Sequence, residues 1–580
     1  MDQIATLWRL GPLKILCYLL GFLILYVLSV CFYRLTLHPL ARIPGPFLSK
    51  LTDWSIVLQA SSGSRHILTW KEHKEYGEAK ASSLCLCPHL MTALTGTIVR
   101  IGPNTLSFNT ASALKAIYAS RHVNLQKAPW YLTIDAGSGA ASVHSEIDRD
   151  RHAFRRRVLD QAVSDLAEQP ILDKIKTWVG YLGSESKANE QDWSEPTDMK
   201  DWCNWLSFDI MGELTFGQSF GCVDKGEYRF VSDVVLNATK FVYVAGFWPF
   251  ISLVRPLLGT KWASLLFAKK AHEYEAYIRY ANSMMERRIG AEKNPTQTLD
   301  GTPTTRRKDF VHHLLHARDP QTDKGLTLSE LHADSALLIH AGSDTTALTL
   351  SAAIFYLVHH PLVLATLQGL VRTTFPTLDS IRAGSELLSL PYLRACIDET
   401  MRLAPPVPSH LPREVLAGGI EIDGSFFPEG TIVGVAPWSI HHNAVYFPDP
   451  FKYNPDRWMA ASDADTDNGE DGRKAGTVLA RSAFCPFGVG SRGCAGKRLA
   501  YLEVSLALAT FLWVYDVRLY SSTASNTTRR SGPGEGKSAK KHADVRDRTD
   551  LYQLWDHFVA DREGPVVQLK RANVSLGETE

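Results

Sequence analysis

The chain has 580 residues, 45% of them hydrophobic and 10% aromatic, enough apolar material for one large core. Its 62 Lys and Arg offset 61 Asp and Glu, which excludes a net field that would draw nucleic acid. The 9 cysteines are irregularly placed, with Cys17 and Cys31 inside an apolar run, so they make no disulfide framework and suit a reducing compartment.

Ile15 to Tyr33 is an uncharged run whose helical length of roughly 28 Å matches a bilayer core. Bulky Phe32-Tyr33-Arg34 follows it where a signal peptide would need small residues, so residues 1–34 read as a retained membrane anchor. Arg34, Arg42 and Lys50 follow the run and Arg9 and Lys14 precede it, a slight bias that places the bulk of the chain on the cytosolic side. The prolines at 39, 44 and 46 make residues 35–47 a stiff hinge, and residues 48–580 read as one domain.

Glu78 to Gly96 shows neither helical nor strand periodicity, and its Cys85 and Cys87 lack partner ligands for a metal. Thr97 to Phe108 reads as strand pieces around the turn Gly102-Pro103-Asn104. Arg151 to Arg157 opens a cationic helix, with His152 and Arg156 four residues apart on one face. That face suits carboxylate partners, or is simply solvated. Lys240 to Leu258 is largely apolar, while Asn294 to Lys308, Ala460 to Lys474 and Ser521 to Arg548 are polar stretches expected as loops.

Thr327 to His359 has the pattern of a long apolar helix that carries Ala341-Gly342-Ser343-Asp344-Thr345-Thr346 in its middle. Gly342 weakens a helix by about 1 kcal/mol relative to Ala, and Thr345 can bond back to a carbonyl, so a local opening that holds water is expected there. Glu399 and Arg402 are spaced for an ion pair on one helix, and Pro455-Asp456-Arg457-Trp458 comes later. Val566 to Lys570 reads as a last short strand. In Phe484 to Glu503, Gly488, Gly490 and Gly493 favour a tight turn with positive φ, and Leu499, Leu502 and Leu506 then recur at helical spacing. Cys494 thus precedes a helix N-terminus, where the dipole and the cation of Arg492 are expected to favour the thiolate, a ligand for soft metals. A zinc site would need paired ligands, and Cys485 is nine residues away, so one thiolate alone suits a haem axial position better.

Phe487, Gly490, Arg492, Cys494 and Gly496 match the pattern F-x-x-G-x-R-x-C-x-G, and residues 341–345 match A-G-x-D-T. Arg457 lies in a segment like P-E-R-F with Asp and Trp substituted. In this order, the motifs resemble those of the cytochrome P-450 superfamily from the hinge to the end of the chain. The resemblance implies a mainly α fold with small β-sheets and one haem b, held between the helix carrying Thr345 and the helix following Cys494. It makes Cys494 the proximal ligand, pushing electron density onto iron to favour O–O cleavage. It makes Thr345 the residue that steadies activated oxygen and Asp344 a source of protons. His152, Arg156 and Arg413 would meet the haem propionates, and Glu399, Arg402 and Arg457 would form a buried network fixing the cysteine loop. Val407 to Leu411 would approach the substrate, and Lys240 to Leu258 resembles the membrane-facing region over the substrate channel, although core packing explains that stretch nearly as well.

The implied reaction is monooxygenation of an apolar small molecule. The chain carries no Rossmann or flavin fingerprint, so electrons are expected from a membrane-bound NADPH-cytochrome P-450 reductase docking near Lys497 and Arg498. The expected setting is the endoplasmic reticulum membrane, single-pass, with lipid contact through the N-terminal helix. The hinge and Trp458 resemble filamentous-fungal members of secondary metabolism, whose substrates include terpenoid, polyketide and alkaloid intermediates. A haem-thiolate isomerase or dehydratase is the rival enzyme, opposed by intact Asp344 and Thr345. A haem sensor would need the cysteine but no acid-alcohol pair. In the family Tyr76-Gly77 runs almost directly into the strand at Thr97, so Glu78 to Gly96 is either a surface insertion or a translated, retained intron.

Overall fold

The computed structural model describes residues 12–78, 97–120, 123–135, 139–166, 168–182, 193–226, 228–257, 268–293, 308–459, 470–520 and 543–572. Two of the stretches singled out above, residues 79–96 and 294–307, lie outside them.

The first helix, α1 (Pro12–Phe32), continues into a π-helical turn over Tyr33–Leu37. Its segment Lys14–Leu37 has a mean hydropathy of 2.6 and buries none of its most apolar window, and it is long and apolar enough to cross a membrane. The helical run therefore ends three residues later than the expected anchor boundary at residue 34. The hinge that follows is laid against the first β-hairpin. Arg100 donates through Nη1 to the carbonyls of Arg34 (3.0 Å) and Leu40 (3.2 Å), and its backbone N–H donates to Pro44 O (2.7 Å). Gly45 has no room for a side chain, since a Cβ there would lie 2.2 Å from Arg100 O.

That hairpin is β1 (Ile98–Arg100) and β2 (Thr105–Phe108), pairing Ile98 with Phe108 about the expected turn. With β3 (Leu125–Lys127), β5 (Arg413–Val415) and β6 (Ile432–Val435) it forms a five-stranded sheet in the order β1-β2-β6-β5-β3, β2 running parallel to β6. A second sheet places β8 (Val566–Arg571) between β4 (Thr197–Asp198) and β7 (Tyr515–Leu519). The expected last strand is therefore present, and its Val567 and Leu569 join the main buried cluster.

The helices that carry the argument are α2 (Arg149–Asp165), α3 (Met199–Phe216), α4 (Phe230–Ala245), α5 (Ala268–Lys293), α6 (Phe310–His316), α7 (Leu328–His359), α8 (Pro391–Leu403) and α9 (Lys497–Val514). Helix α7 starts where its sequence dictates. Thr327 caps it and Glu330 completes a capping box. Contrary to expectation, α7 runs unbroken through residues 341–346. Gly342 serves packing: a Cβ there would lie 2.4 Å from Met211 Sδ of α3, so its absence lets two long helices approach. Ile339, Ala347 and Leu350 of α7 then join Leu206 and Ile210 of α3 and Leu506 and Leu508 of α9 in one buried cluster.

Two expected loops are shorter than the composition suggested. A helix already begins at Glu470, inside Ala460 to Lys474, and runs to Ala483. A helical turn, Ala543–Arg546, falls inside Ser521 to Arg548, with Val545 buried and Arg546 donating to Leu554 O at 2.7 Å. In both places a few apolar side chains are drawn into the core, which average composition does not register. The apolar stretch 240–258 divides: Tyr243 and Phe247 pack against Trp130, while Phe250 and Leu253 are exposed.

Candidate active site

The loop before α9 is held by its own backbone. Gly488 N donates to Cys485 O (3.0 Å), Cys494 N donates to Phe487 O (2.8 Å), and Gly496 caps the helix. Gly488 and Gly490 have φ of 64° and 74°. Gly490 is doubly constrained, because a Cβ there would come within 2.0 Å of Tyr118 O. Gly493 departs from the expectation of a third left-handed glycine, its φ being −64°.

Cys494 faces a cavity, and its thiol is pushed up, not down, from the usual value. Burial is the largest cause; the Gly496 amide and the cations of Arg156 and Lys497 oppose it without overcoming it. The expected cation, Arg492, is turned away, donating to the carbonyls of Glu146 and Ile147 at 2.9 Å each. Arg156 takes its place: its guanidinium binds the carbonyls of Gly493 and, at 3.2 Å, Cys494. Cys494 is nonetheless accessible from the cavity, so a metal cation placed there can take up the charge of the ionised sulfur.

Behind the loop lies a buried ionic network. Glu399 of α8 accepts from Arg402 Nε (2.8 Å) and Nη2 (2.9 Å), Arg457 Nε (3.0 Å), Trp458 Nε1 (2.9 Å) and Asn454 N (2.9 Å). Burial alone would raise its pKa, but Arg402 and Arg457 outweigh it and hold the carboxyl below the ordinary value. Arg402 also donates to His441 O (2.9 Å), and His441 Nδ1 donates to Arg402 O (3.2 Å). The other ring nitrogen, Nε2, accepts the N–H of Cys485 at 3.0 Å. Burial, then Arg402, hold His441 down to about 3, so the ring stays neutral and Nε2 keeps its lone pair. His441 is thus the link from the Glu399 network to the cysteine loop. No local signal marked it, because both contacts join residues about forty positions apart in the chain.

The cavity, of about 390 Å³, is lined on one side by Cys494 and Phe487 and on another by Ala341, Gly342 and Thr345 of α7. Val407 and Leu411 also line it, as expected. Thr345 Oγ1 donates back to Ala341 O at 2.8 Å. Asp344 is buried, with Oδ2 3.1 Å from His340 Nδ1, a close contact without hydrogen-bond alignment. At one edge, basic groups crowd together. Lys127 of β3 stands opposite Arg413 of β5 in the sheet register, a pairing of like charges that costs energy on its own. Burial, then Arg492 and Arg413, push Lys127 well below the usual lysine range. His152 is held down to about 2, by burial first and then Lys127 and Arg492. Arg413 donates to Tyr131 at 3.1 Å. Sequence reasoning missed Lys127 and Tyr131, since only the folding of β3 beside β5 brings them to this edge.

A buried acid sits at the same cavity. Glu503 of α9 has one carboxyl oxygen without a partner among the described residues, and burial, opposed weakly by the Ser207 hydroxyl, pushes it up to about 8. The folded protein therefore keeps Glu503 protonated at neutral pH, whereas the unfolded chain ionises it above the ordinary value of 4.5. Its contribution is to lose stability as pH rises from about 4.5 to 8, by about 1.4 kcal/mol per unit. Glu503→Gln should be no less stable than the parent at pH 5.5 and more stable at pH 8, measured as the difference in thermal midpoint at the two pH values.

The family model described as cytochrome P-450 matches residues 102–538. The chain belongs to the cytochrome P-450 family. It is similar to the cytochrome P-450 monooxygenase fscF of Fusarium equiseti, 34% identical over 564 residues that cover 96% of this chain and 97% of that one. To the cytochrome P-450 monooxygenase AKT7 of Alternaria alternata it is 32% identical over 571 residues, covering 97% and 98% of the two chains. Its fold matches the crystal structure of the haem domain of cytochrome P-450DA with a TM-score of 0.64, at 15% identity, over 90% of this chain and 96% of that one. This P-450 is a haem-dependent monooxygenase whose cofactor takes a cysteine thiolate as axial ligand. The cavity fits such a group. It has the accessible thiol of Cys494 in its lining, apolar walls, and an edge of basic side chains in excess of nearby acids, which suits a ligand that brings carboxylates.

Proposed function

We propose that this P-450 inserts one atom of dioxygen into a hydrophobic small molecule, an intermediate of secondary metabolism of the terpenoid, polyketide or alkaloid kind, with electrons from an NADPH-cytochrome P-450 reductase. The observation that carries this reading is that Cys494 and Thr345, from separate elements, line one largely apolar cavity. Cys494 would hold the haem iron through its thiolate. When bound, the haem supplies dioxygen activation, and the thiolate ligand favours O–O cleavage. Lys127, His152 and Arg413, at the basic edge, would hold the carboxylates of the haem. Arg156 grips the carbonyls of the loop that presents the sulfur, keeping its cation close to that sulfur. The Phe487 carbonyl accepts the backbone N–H of Cys494, and the Gly496 N–H donates to its sulfur.

Thr345 lines the cavity's other wall, while Asp344, the preceding residue of α7, is buried behind it beside His340, an alcohol at the cavity with an acid next to it for proton delivery. That pair favours oxygenation over isomerisation, which needs no protons or electrons from outside. Residues 1–34 anchor the chain in the endoplasmic reticulum membrane, residues 35–47 join the anchor to the catalytic domain of 48–580, and this domain faces the cytosol. Lys497 and Arg498, both exposed beside the cysteine loop, form part of the reductase contact.

The test is reconstitution with reductase, NADPH and isotopically labelled dioxygen. One labelled oxygen should enter product, and nothing should form without reductase; product formed equally without electrons would show an isomerase. In the same system, Thr345→Ala should retain haem but couple poorly, consuming NADPH and releasing peroxide at the expense of product. Unchanged coupling would remove Thr345 from the reaction.

A further inference from the structure

Away from the cavity, the end of α5 meets α6 through three metal-ligating side chains. Glu292 closes α5, and His312 and His316 stand one turn apart on the same face of α6. One ligand atom from each lies within 4.8 Å of the others. Glu292 Oε1 is 3.0 Å from His312 Nδ1 and 3.9 Å from His316 Nε2. Ligand atoms held at 2.0–2.1 Å around a tetrahedral zinc ion are about 3.4 Å apart, so small side-chain shifts would bring these into place.

The surrounding groups already orient the ligands. His316 Nδ1 donates to His312 O at 2.8 Å, which fixes the tautomer and leaves the Nε2 lone pair pointing outward from that bond. Arg288 Nη1 donates to Glu292 Oε2 at 2.7 Å, occupying that oxygen and leaving Oε1 toward the imidazoles. Arg288 Nε binds Asp309 Oδ2 (2.7 Å), and Asp309 Oδ1 caps α6 by accepting from His312 N (2.7 Å). The guanidinium is thus matched by two carboxylates, and the site keeps one net negative charge for a cation. A hydrogen bond between Glu292 and His312 would need no third partner. Yet His316, with 60% of its side chain exposed, turns toward the same oxygen, and the His312 and His316 rings lie 4.4 Å apart.

We propose that Glu292, His312 and His316 form a Zn²⁺ site that clips the end of α5 to α6, with water completing the tetrahedron. Two imidazoles and one carboxylate suit zinc; calcium and magnesium prefer oxygen ligands alone. The site is independent of the haem and of the substrate.

The experiment uses the full-length, haem-loaded protein without a histidine tag, stripped of divalent ions and titrated with Zn²⁺ by calorimetry. One equivalent should bind, raise the thermal midpoint, and give zinc-edge X-ray absorption of two imidazole nitrogens plus oxygen. Mg²⁺ should do neither. His316→Ala, which alters a largely exposed side chain and should fold, and His312→Gln should each weaken binding at least tenfold. Absence of binding, or equal affinity in His316→Ala, would overturn the proposal.

Discussion

Cys494→Ala should abolish the thiolate-type spectrum of the reduced, CO-bound protein, while Cys485→Ala keeps it. The two cysteines share one cavity lining, which makes the comparison sharp. Burial pushes the Cys485 thiol up to about 12, so it remains a packed thiol 3.7 Å from His441. Cys494 differs in having the Gly496 amide, Arg156 and Lys497 all favouring its anion. A thiolate spectrum that survives loss of Cys494 would refute its assignment as ligand.

Glu399→Ala should yield little haem-loaded protein. The carboxylate accepts from Arg402, Arg457, Trp458 and Asn454, and its removal leaves two guanidinium groups facing each other without their anion. Breaking a buried pair in this way costs about 3–5 kcal/mol. The damage should reach the cysteine loop through Arg402 and His441, whose ring accepts the N–H of Cys485. Glu399→Gln keeps a hydrogen-bond acceptor but not the charge, and should fall between the two. The measurement is the ratio of haem absorbance to protein after expression with excess haem precursor; a normal ratio in Glu399→Ala would make the network peripheral.

What was legible in the sequence was what is local. The cysteine loop, the helix after it and the Glu399 to Arg402 spacing each fall within one short stretch, so turn chemistry and helical period suffice to read them. Thr345 was read correctly as bonding back to a carbonyl, because that contact spans one helical turn. Gly342 was misread for the opposite reason: its role depends on Met211, on another helix. The charge beside Cys494 was assigned to Arg492, its near neighbour in sequence, but the fold turns Arg492 to the backbone at 146–148 and brings Arg156 in its stead. Lys127 and His441 were invisible for the same cause, since strand pairing and a buried ring place them.

A flexible tether would let the globule tumble about the end of α1. Here Arg100 fastens the chain at Arg34, Leu40 and Pro44, so helix and globule share one frame. Whatever surface holds α1 therefore also sets the compass bearing of the exposed pair Lys497 and Arg498. A partner confined to that same surface would search in two dimensions and would meet a face already turned to a fixed heading.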